Sequence, residues 1–255
     1  MWAARRHTVG DRQLFLMVGT LVVLAWAGLW LWGPSPADGL AGQHQHHGMG
    51  GAALILVFFA GWTLMIVAMM LPTSLPLVMM FHTLVRRRTD WMLLVGLLLA
   101  GYLAVWTAFG ATIYLAGLAL RELVALSSWL AVNAWLLGPA ALVLAGLYQF
   151  TPLKYYCLDR CRSPLSFIMQ RWHGRHARAE ALALGLHHGA FCLGCCWSLM
   201  LVMFVVGAGN LGWMLALGAV MAVEKNAPWG RHLSLPLGVV LIGWGLLTAV
   251  AGITV

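Results

Sequence analysis

The run Gly185-Leu186-His187-His188-Gly189-Ala190-Phe191-Cys192-Leu193-Gly194-Cys195-Cys196-Trp197-Ser198-Leu199-Met200-Leu201-Val202-Met203-Phe204-Val205-Val206 contains no Asp, Glu, Lys or Arg. A helix needs about 20 apolar residues to cross the ~30 Å hydrocarbon core of a bilayer, and this stretch supplies them. The surrounding chain has the same character. Of its 255 residues 62% are hydrophobic and only 9% charged, a balance that excludes an ordinary soluble globule. The sequence therefore reads as an all-α, polytopic membrane helix bundle of about seven transmembrane helices. The segments fall near 14–32, 52–71, 92–118, 129–150, 185–206, 210–226 and 234–253. The sixth is short: its apolar core is Leu211 to Val223, and it spans only if Glu224 and Lys225 reach the interface. A single integral domain over 1–255 follows. Residues 1–51 form an N-terminal helix with a His-rich outer loop, and 52–255 form the core.

The net charge of +8 would invite a nucleic-acid partner, but the topology accounts for it. Arg5, Arg6, Arg12, Arg86, Arg87, Arg88, Lys154, Arg160, Arg162, Arg171, Arg175, Arg178, Lys225 and Arg231 all fall on one side of a seven-segment arrangement; Arg121 alone falls on the other. Basic residues accumulate in cytoplasmic loops. The N-terminus is thus expected in the cytoplasm, the C-terminus outside, with membrane lipid as the partner and no nucleic acid. The first segment is longer than a usual signal core and reads as an uncleaved helix.

Candidate chemistry resides in sulfur. At 100° per residue His188, Cys192, Cys195, Cys196 and Met203 share one face of the fifth segment, whereas His187 points elsewhere. Thiols three and four residues apart can chelate one ion, and soft thiolates suit Cu(I) or Zn(II). Cu(I) has the advantage in a membrane interior, because two thiolates around a monovalent ion leave little net charge to bury. The competing reading is close packing: Gly185, Gly189, Cys192 and Cys196 form a small-residue stripe of the kind that brings helices together. Upstream, Thr151-Pro152 reads as an N-cap followed by Pro at the first helical position, which would set Cys157 and Cys161 on one face of a short helix. Ser163-Pro164 repeats the signal, and Leu165 to Leu184 reads as a helix on the membrane surface. Pro72 and Pro76 are expected to stop or kink the second segment after Met69 and Met70. Asn133 reads as interhelical glue, Gly96, Gly101 and Gly110 as packing, and Glu224-Lys225 as an interface ion pair. The tract Gln43-His44-Gln45-His46-His47-Gly48-Met49 is an open imidazole site or an inert loop.

Met65 to Phe81, Tyr148 to Phe167, Gly185 to Met214 and Glu224-Lys225 together resemble a bacterial family of predicted metal-binding integral membrane proteins. It is a domain of unknown function, sometimes labelled copper chaperone-like. Ala68-Met69-Met70-Leu71-Pro72, Thr151-Pro152-Leu153-Lys154 and Gly194-Cys195-Cys196-Trp197 carry the likeness most specifically. The family tends to carry Met before the Asn that is Asn210 here, and this chain has Gly209. The resemblance implies a bacterial inner (plasma) membrane and a metal-binding role. The resulting expectation is a copper-binding (or zinc-binding) protein that holds, relays or delivers the ion to a membrane metalloprotein client. Its metal residues are Cys192, Cys195, Cys196 and His188, with Cys157 and Cys161 as a cytoplasmic exchange pair and Met69 and Met70 nearby. The alternatives are a membrane thiol-disulfide oxidoreductase, cycling Cys192/Cys195 or Cys157/Cys161, and a structural assembly subunit. The sequence contains no Ser-His-Asp set, P-loop or HExxH motif of a hydrolase or ATPase.

Overall fold

The computed structural model describes residues 9–32, 51–207 and 210–252, with side chains from residue 13 onward. The elements are α1 Val9–Trp32, α2 Gly51–Val85, α3 Trp91–Leu126, α4 Ser128–Val132, α5 Leu137–Tyr148, α6 Pro152–Arg162, α7 Pro164–Arg171, α8 Ala177–Val206, α9 Leu211–Asn226 and α10 Ser234–Ala251. Short 3-10 turns cover Ala134–Leu136 and Gly230–Leu233. No strand occurs among the described residues. The His-rich tract at 43–49 lies outside them.

Five helices are long and apolar enough to cross a membrane, and a sixth span results if the bent pair formed by Ala134–Tyr148 and Pro152–Arg162 counts as one. Seven were expected, and the shortfall is at α9. With 16 residues it rises only ~24 Å, short of a ~30 Å core. The fourth segment is also not the continuous helix expected. Ser127 caps α4 by accepting from Leu130 N, and the backbone turns at Asn133 before α5 begins. Asn133 itself bonds back to Trp129 O at 2.8 Å and is a local cap, not glue between helices.

Three more expectations change. Pro72 and Pro76 sit inside α2, which continues helical to Val85. Pro72 has no N–H to offer Ala68 O four residues back. That carbonyl instead accepts from Trp26 Nε1 of α1 at 3.2 Å, a substitute donor of the kind that lets proline persist in apolar helices. The stretch 165–184 is not one surface helix: α7 ends at Arg171, and α8 starts at Ala177. Glu180 in the first turn of α8 holds the break by accepting from the N–H groups of His173, Gly174, Arg175 and His176. Gly174 adopts the positive φ of 74° that the reversal needs. The Ser163 side chain does not cap α7, whereas Thr151 caps α6 as expected, accepting from Lys154 N with Pro152 behind it.

The core is organised around α3 and α8, which form the most extensive helix pair. Glycines allow it. A Cβ at Gly101 would lie 2.5 Å from Leu182 O, and one at Gly185 would overlap Leu98 O. Gly189 lies equally close to Tyr102 O and Val105. Small residues let backbones approach where apolar surroundings supply no hydrophobic drive to associate. Gly101 thus packs as expected, while Gly96 faces open space. Leu14, Val18, Ala25 and Leu29 form the stripe of α1 that is buried, much of it against α2.

A buried polar clamp joins α5, α6, α8, α9 and α10. Lys154 Nζ donates to Glu224 Oε1 and Oε2 at 2.8 and 3.0 Å and to Gln149 Oε1. Ser234 Oγ donates to the same carboxylate at 2.7 Å, and Gln149 Nε2 donates to Ser198 Oγ at 3.1 Å. Glu224 therefore pairs with Lys154, not with its neighbour Lys225 as expected. Adjacent helical side chains point ~100° apart, and Lys225 faces a different partner.

Two consequences are testable by thermal unfolding in detergent. Gly185→Ala should destabilise by about 1–3 kcal/mol through overpacking, whereas Gly96→Ala should be neutral or mildly stabilising; equal effects would contradict the α3–α8 contact. Glu224→Gln should cost about 3–5 kcal/mol by stranding the Lys154 ammonium. Lys154→Met combined with Glu224→Gln should recover much of that loss.

Candidate metal centre

The face of α8 inferred from helical periodicity is the face turned inward. His188, Cys192, Cys195, Cys196 and Met203 are all buried, and His187 is exposed with Nδ1 2.7 Å from Ala183 O. The sulfur atoms of Cys195 and Cys196 lie 3.4 Å apart. Cys161, on α6, brings its sulfur to 3.9 Å from that of Cys195. All five cysteines are free thiols.

Two helical features bring α6 here. The α5–α6 pair bends by 64° where Thr151-Pro152 restarts the helix, and Tyr148 OH then donates to Gly194 O at 2.5 Å. Gly194 leaves room for Cys157, because a Cβ there would lie 2.5 Å from Cys157 Sγ. Cys157 is consequently buried against α8, while Cys161, one turn on, remains half-buried. Sequence spacing put these two on a common face. Only the structure brings Cys161 to Cys195 and Cys157 to Gly194.

Seven methionines share the buried core with the thiols. Met65, Met69, Met70, Met200, Met203, Met214 and Met221 belong to the same buried cluster as Cys157, Cys192, Cys195 and Cys196. Met69 lies against α9, its Cε 3.5 Å from where a Gly218 Cβ would stand. Helical continuity through Pro72 keeps Met69 and Met70 in register with Thr73 and Ser74 on one helix.

Cys192 occupies a different environment from the other two. Lys225 Nζ of α9 donates to its sulfur at 2.9 Å and to Thr73 Oγ1 at 3.1 Å. Tyr102 OH of α3 lies 3.2 Å from the same sulfur. His188 is held away from the thiols: its Nε2 is 3.2 Å from Ser74 Oγ, and its ring stacks on Tyr102 with 5.6 Å between centroids. Phe167 closes its other side at 5.9 Å. Its buried Nδ1 has no hydrogen-bond partner.

The Cys195 sulfur thus contacts those of both Cys196 and Cys161, and Cys192 meets Cys196 as well as an ammonium. Among the described residues no three His, Cys, Asp or Glu side chains converge as a ready-made ion cage. Sequence reasoning missed Tyr102, Thr73 and Lys225 as neighbours of Cys192. A lysine near the end of a short apolar segment was the available signal, and its pairing with the adjacent Glu224 was the simpler reading.

A family model described as PpoB2, copper chaperone, matches residues 59–248. The match takes in α3 to α9, most of α2 and α10, and every thiol. No curated protein and no solved structure matches the chain. With its thiol-bearing elements inside the matched region, the chain belongs to the PpoB2 copper chaperone family.

Proposed function

We propose that the chain is an integral membrane protein of a bacterial inner membrane that holds a soft metal ion, Cu(I) in preference to Zn(II), and passes it to a membrane metalloprotein client. The observation that carries this reading is the sulfur spacing. Two ligands at ~2.3 Å from one ion stand about 3.8–4.0 Å apart in tetrahedral or trigonal geometry. Cys195 and Cys161 are 3.9 Å apart, within that range, and Cys195 and Cys196 are slightly closer at 3.4 Å. The family description, copper chaperone, supports the identity of the ion. The chemistry of the donors supports a soft ion in general, since thiolates and thioethers in a dry interior select soft metals.

Under this reading Cys195, Cys196 and Cys192 are the holding ligands of α8. Cys157 and Cys161 form the exchange pair, with half-buried Cys161 as the thiol that meets a partner. Met69 and Met70 supply thioethers on the α2 side. His188 supports from one turn away, needing only to leave Ser74 to offer Nε2. Copper is cargo, so the site must release it, and ligands on two helices that can separate suit release better than a closed four-thiolate cage. The burial of Cys192, Cys195 and Cys196 supports metal handling over the disulfide-cycling alternative, which needs access for an exchange partner.

The membrane reading is supported by the apolar exterior. Leu16, Val23, Trp30, Leu56, Met92, Leu126, Leu247 and Val250 are among many large exposed hydrophobic side chains, a surface suited to lipid rather than water. Within that reading α9 returns the chain toward α6, because Glu224 meets Lys154 and Arg162 Nη2 donates to Pro228 O at 2.9 Å. It would then serve as a short seventh crossing, keeping Lys225 and Arg231 on the basic, cytoplasmic side.

Two experiments test these statements. Purified under reduction, the wild-type protein should bind Cu(I). The combined Cys192→Ser, Cys195→Ser, Cys196→Ser variant should lose more than the ~10–100-fold that removal of an outer-shell partner costs, while His44→Ala should leave affinity unchanged. Undiminished binding by the triple variant would remove α8 as the site. Reporter fusions after Gly51 and after Arg178 should report opposite compartments; the same compartment for both would overturn the proposed orientation.

A further inference from the structure

The buried Lys, Arg, Asp and Glu side chains among the described residues are Lys154, Glu224 and Lys225. The first two neutralise each other at 2.8 Å. Glu224 is fully engaged, holding Lys154, Ser234 Oγ and, through its backbone carbonyl, Arg162. Lys225 is left facing neutral groups and one thiol. Its ammonium meets Thr73 Oγ1 and Cys192 Sγ, with Tyr102 OH on the far side of that sulfur. A cation taken out of water this completely is costly unless an opposite charge accompanies it. The only anion its contacts can supply is sulfur.

The geometry points to Lys225 as the charge-selecting residue of the thiol site: a fixed internal cation that favours a monovalent soft ion and disfavours a divalent one. The inference rests on the proposed metal-holding role of Cys192. Whatever the number of thiolates that hold the ion, the Lys225 ammonium adds one fixed positive charge beside them, and a divalent ion brings a second unit of charge against it where a monovalent ion brings one. Distance makes the effect large. An ion bound to Cys192 at ~2.3 Å can lie no more than about 5 Å from an ammonium that is 2.9 Å from the same sulfur. At ~5 Å and an effective dielectric of ~20, each unit of ionic charge repelled by Lys225 is worth about two decades in a binding constant. A divalent ion meets that repulsion twice, a monovalent ion once. The thiolates alone are attractive to either ion, so softness does not separate Cu(I) from Zn(II) or Cd(II) in this way. Lys225 touches no ion in this picture. It is a positioning and selectivity residue acting through Cys192 and through space.

The test uses the full-length protein in detergent under reduction, with Cu(I) and Zn(II) affinities read by competition against chromophoric chelators. Lys225→Gln, neutral but able to hydrogen-bond Thr73, should shift the Zn(II)-to-Cu(I) affinity ratio toward zinc by ~10–100-fold relative to wild type. Lys225→Arg, which keeps the charge, should leave the ratio near the wild-type value. An unchanged ratio in Lys225→Gln overturns the inference while leaving the metal-holding role standing. Wild-type protein that binds neither ion overturns both. A second measurement needs no variant: Ag(I), soft and monovalent, should displace Cu(I), and Cd(II), soft but divalent, should not at the same concentration. Displacement by Cd(II) as readily as by Ag(I) overturns the selection by charge.

Discussion

The Lys154 ammonium has no exposure to solvent, and its pairing with Glu224 is the constraint on which the arrangement depends. A buried cation without a partner would cost several kcal/mol, so α6 and α9 must meet wherever both are folded. Their meeting fixes the bend after α5. Thr151 and Pro152 start α6 in a new direction, Lys154 anchors its first turn on Glu224, and the next turn carries Cys157 onto Gly194. Cys161 then reaches Cys195. A polar interaction that involves no thiol itself therefore sets the distance between sulfurs of two separate helices. Gln149, Ser198 and Ser234 complete the hydrogen bonds that so buried a pair requires.

The small residues of α8 divide their work along the helix. Gly185 and Gly189 take the closest approach to α3, where a side chain would meet Leu98 O or Tyr102 O. The cysteines follow in the next two turns, and their neighbours are other sulfurs, an ammonium and a phenol. Packing alone would be served equally by Ala or Ser at 192, 195 and 196. It gives no reason for Lys225 to be directed at Cys192, nor for Cys161 to lie opposite Cys195. The glycine part of the stripe is packing, and the cysteine part has polar and sulfur partners that packing does not ask for.

Much of this was legible from residue order because two periodicities act locally. Apolar length marked the long helices, and the 100° step marked the buried face of α8 and separated His188 from His187. The Thr151-Pro152 start was legible for the same reason: a cap is a local hydrogen bond. What escaped was everything set by tertiary substitution. Proline was expected to end α2, but Trp26, 42 positions earlier than the acceptor it serves, supplies the missing donor to Ala68 O. Glu224 and Lys225 looked like a pair because they are adjacent, yet their side chains diverge, and each finds a partner far away in sequence. α9, the segment whose apolar run is short in the sequence, falls below a spanning helix at 16 residues.

A site for transferable copper has to reconcile two demands. Holding an ion away from water and oxidants calls for burial, while handing it on calls for a route out. The five thiols differ in this respect. Cys192, Cys195 and Cys196 are closed off by α2, α3, α6 and α9, and Cys161 stands half-buried beside Cys195. Ligand exchange needs the next sulfur within reach before the last one leaves. Sulfur separations of 3.4 and 3.9 Å are, under the proposed reading, short enough for one ion to be shared between neighbours. Under the proposed reading the gradient from Cys192, tied to Lys225, to the half-open Cys161 gives the ion a direction. Such a gradient could not have been built on one helix. Neighbouring positions of α8 share nearly the same depth, so the change in exposure comes from the second helix that the Lys154–Glu224 pair holds against it.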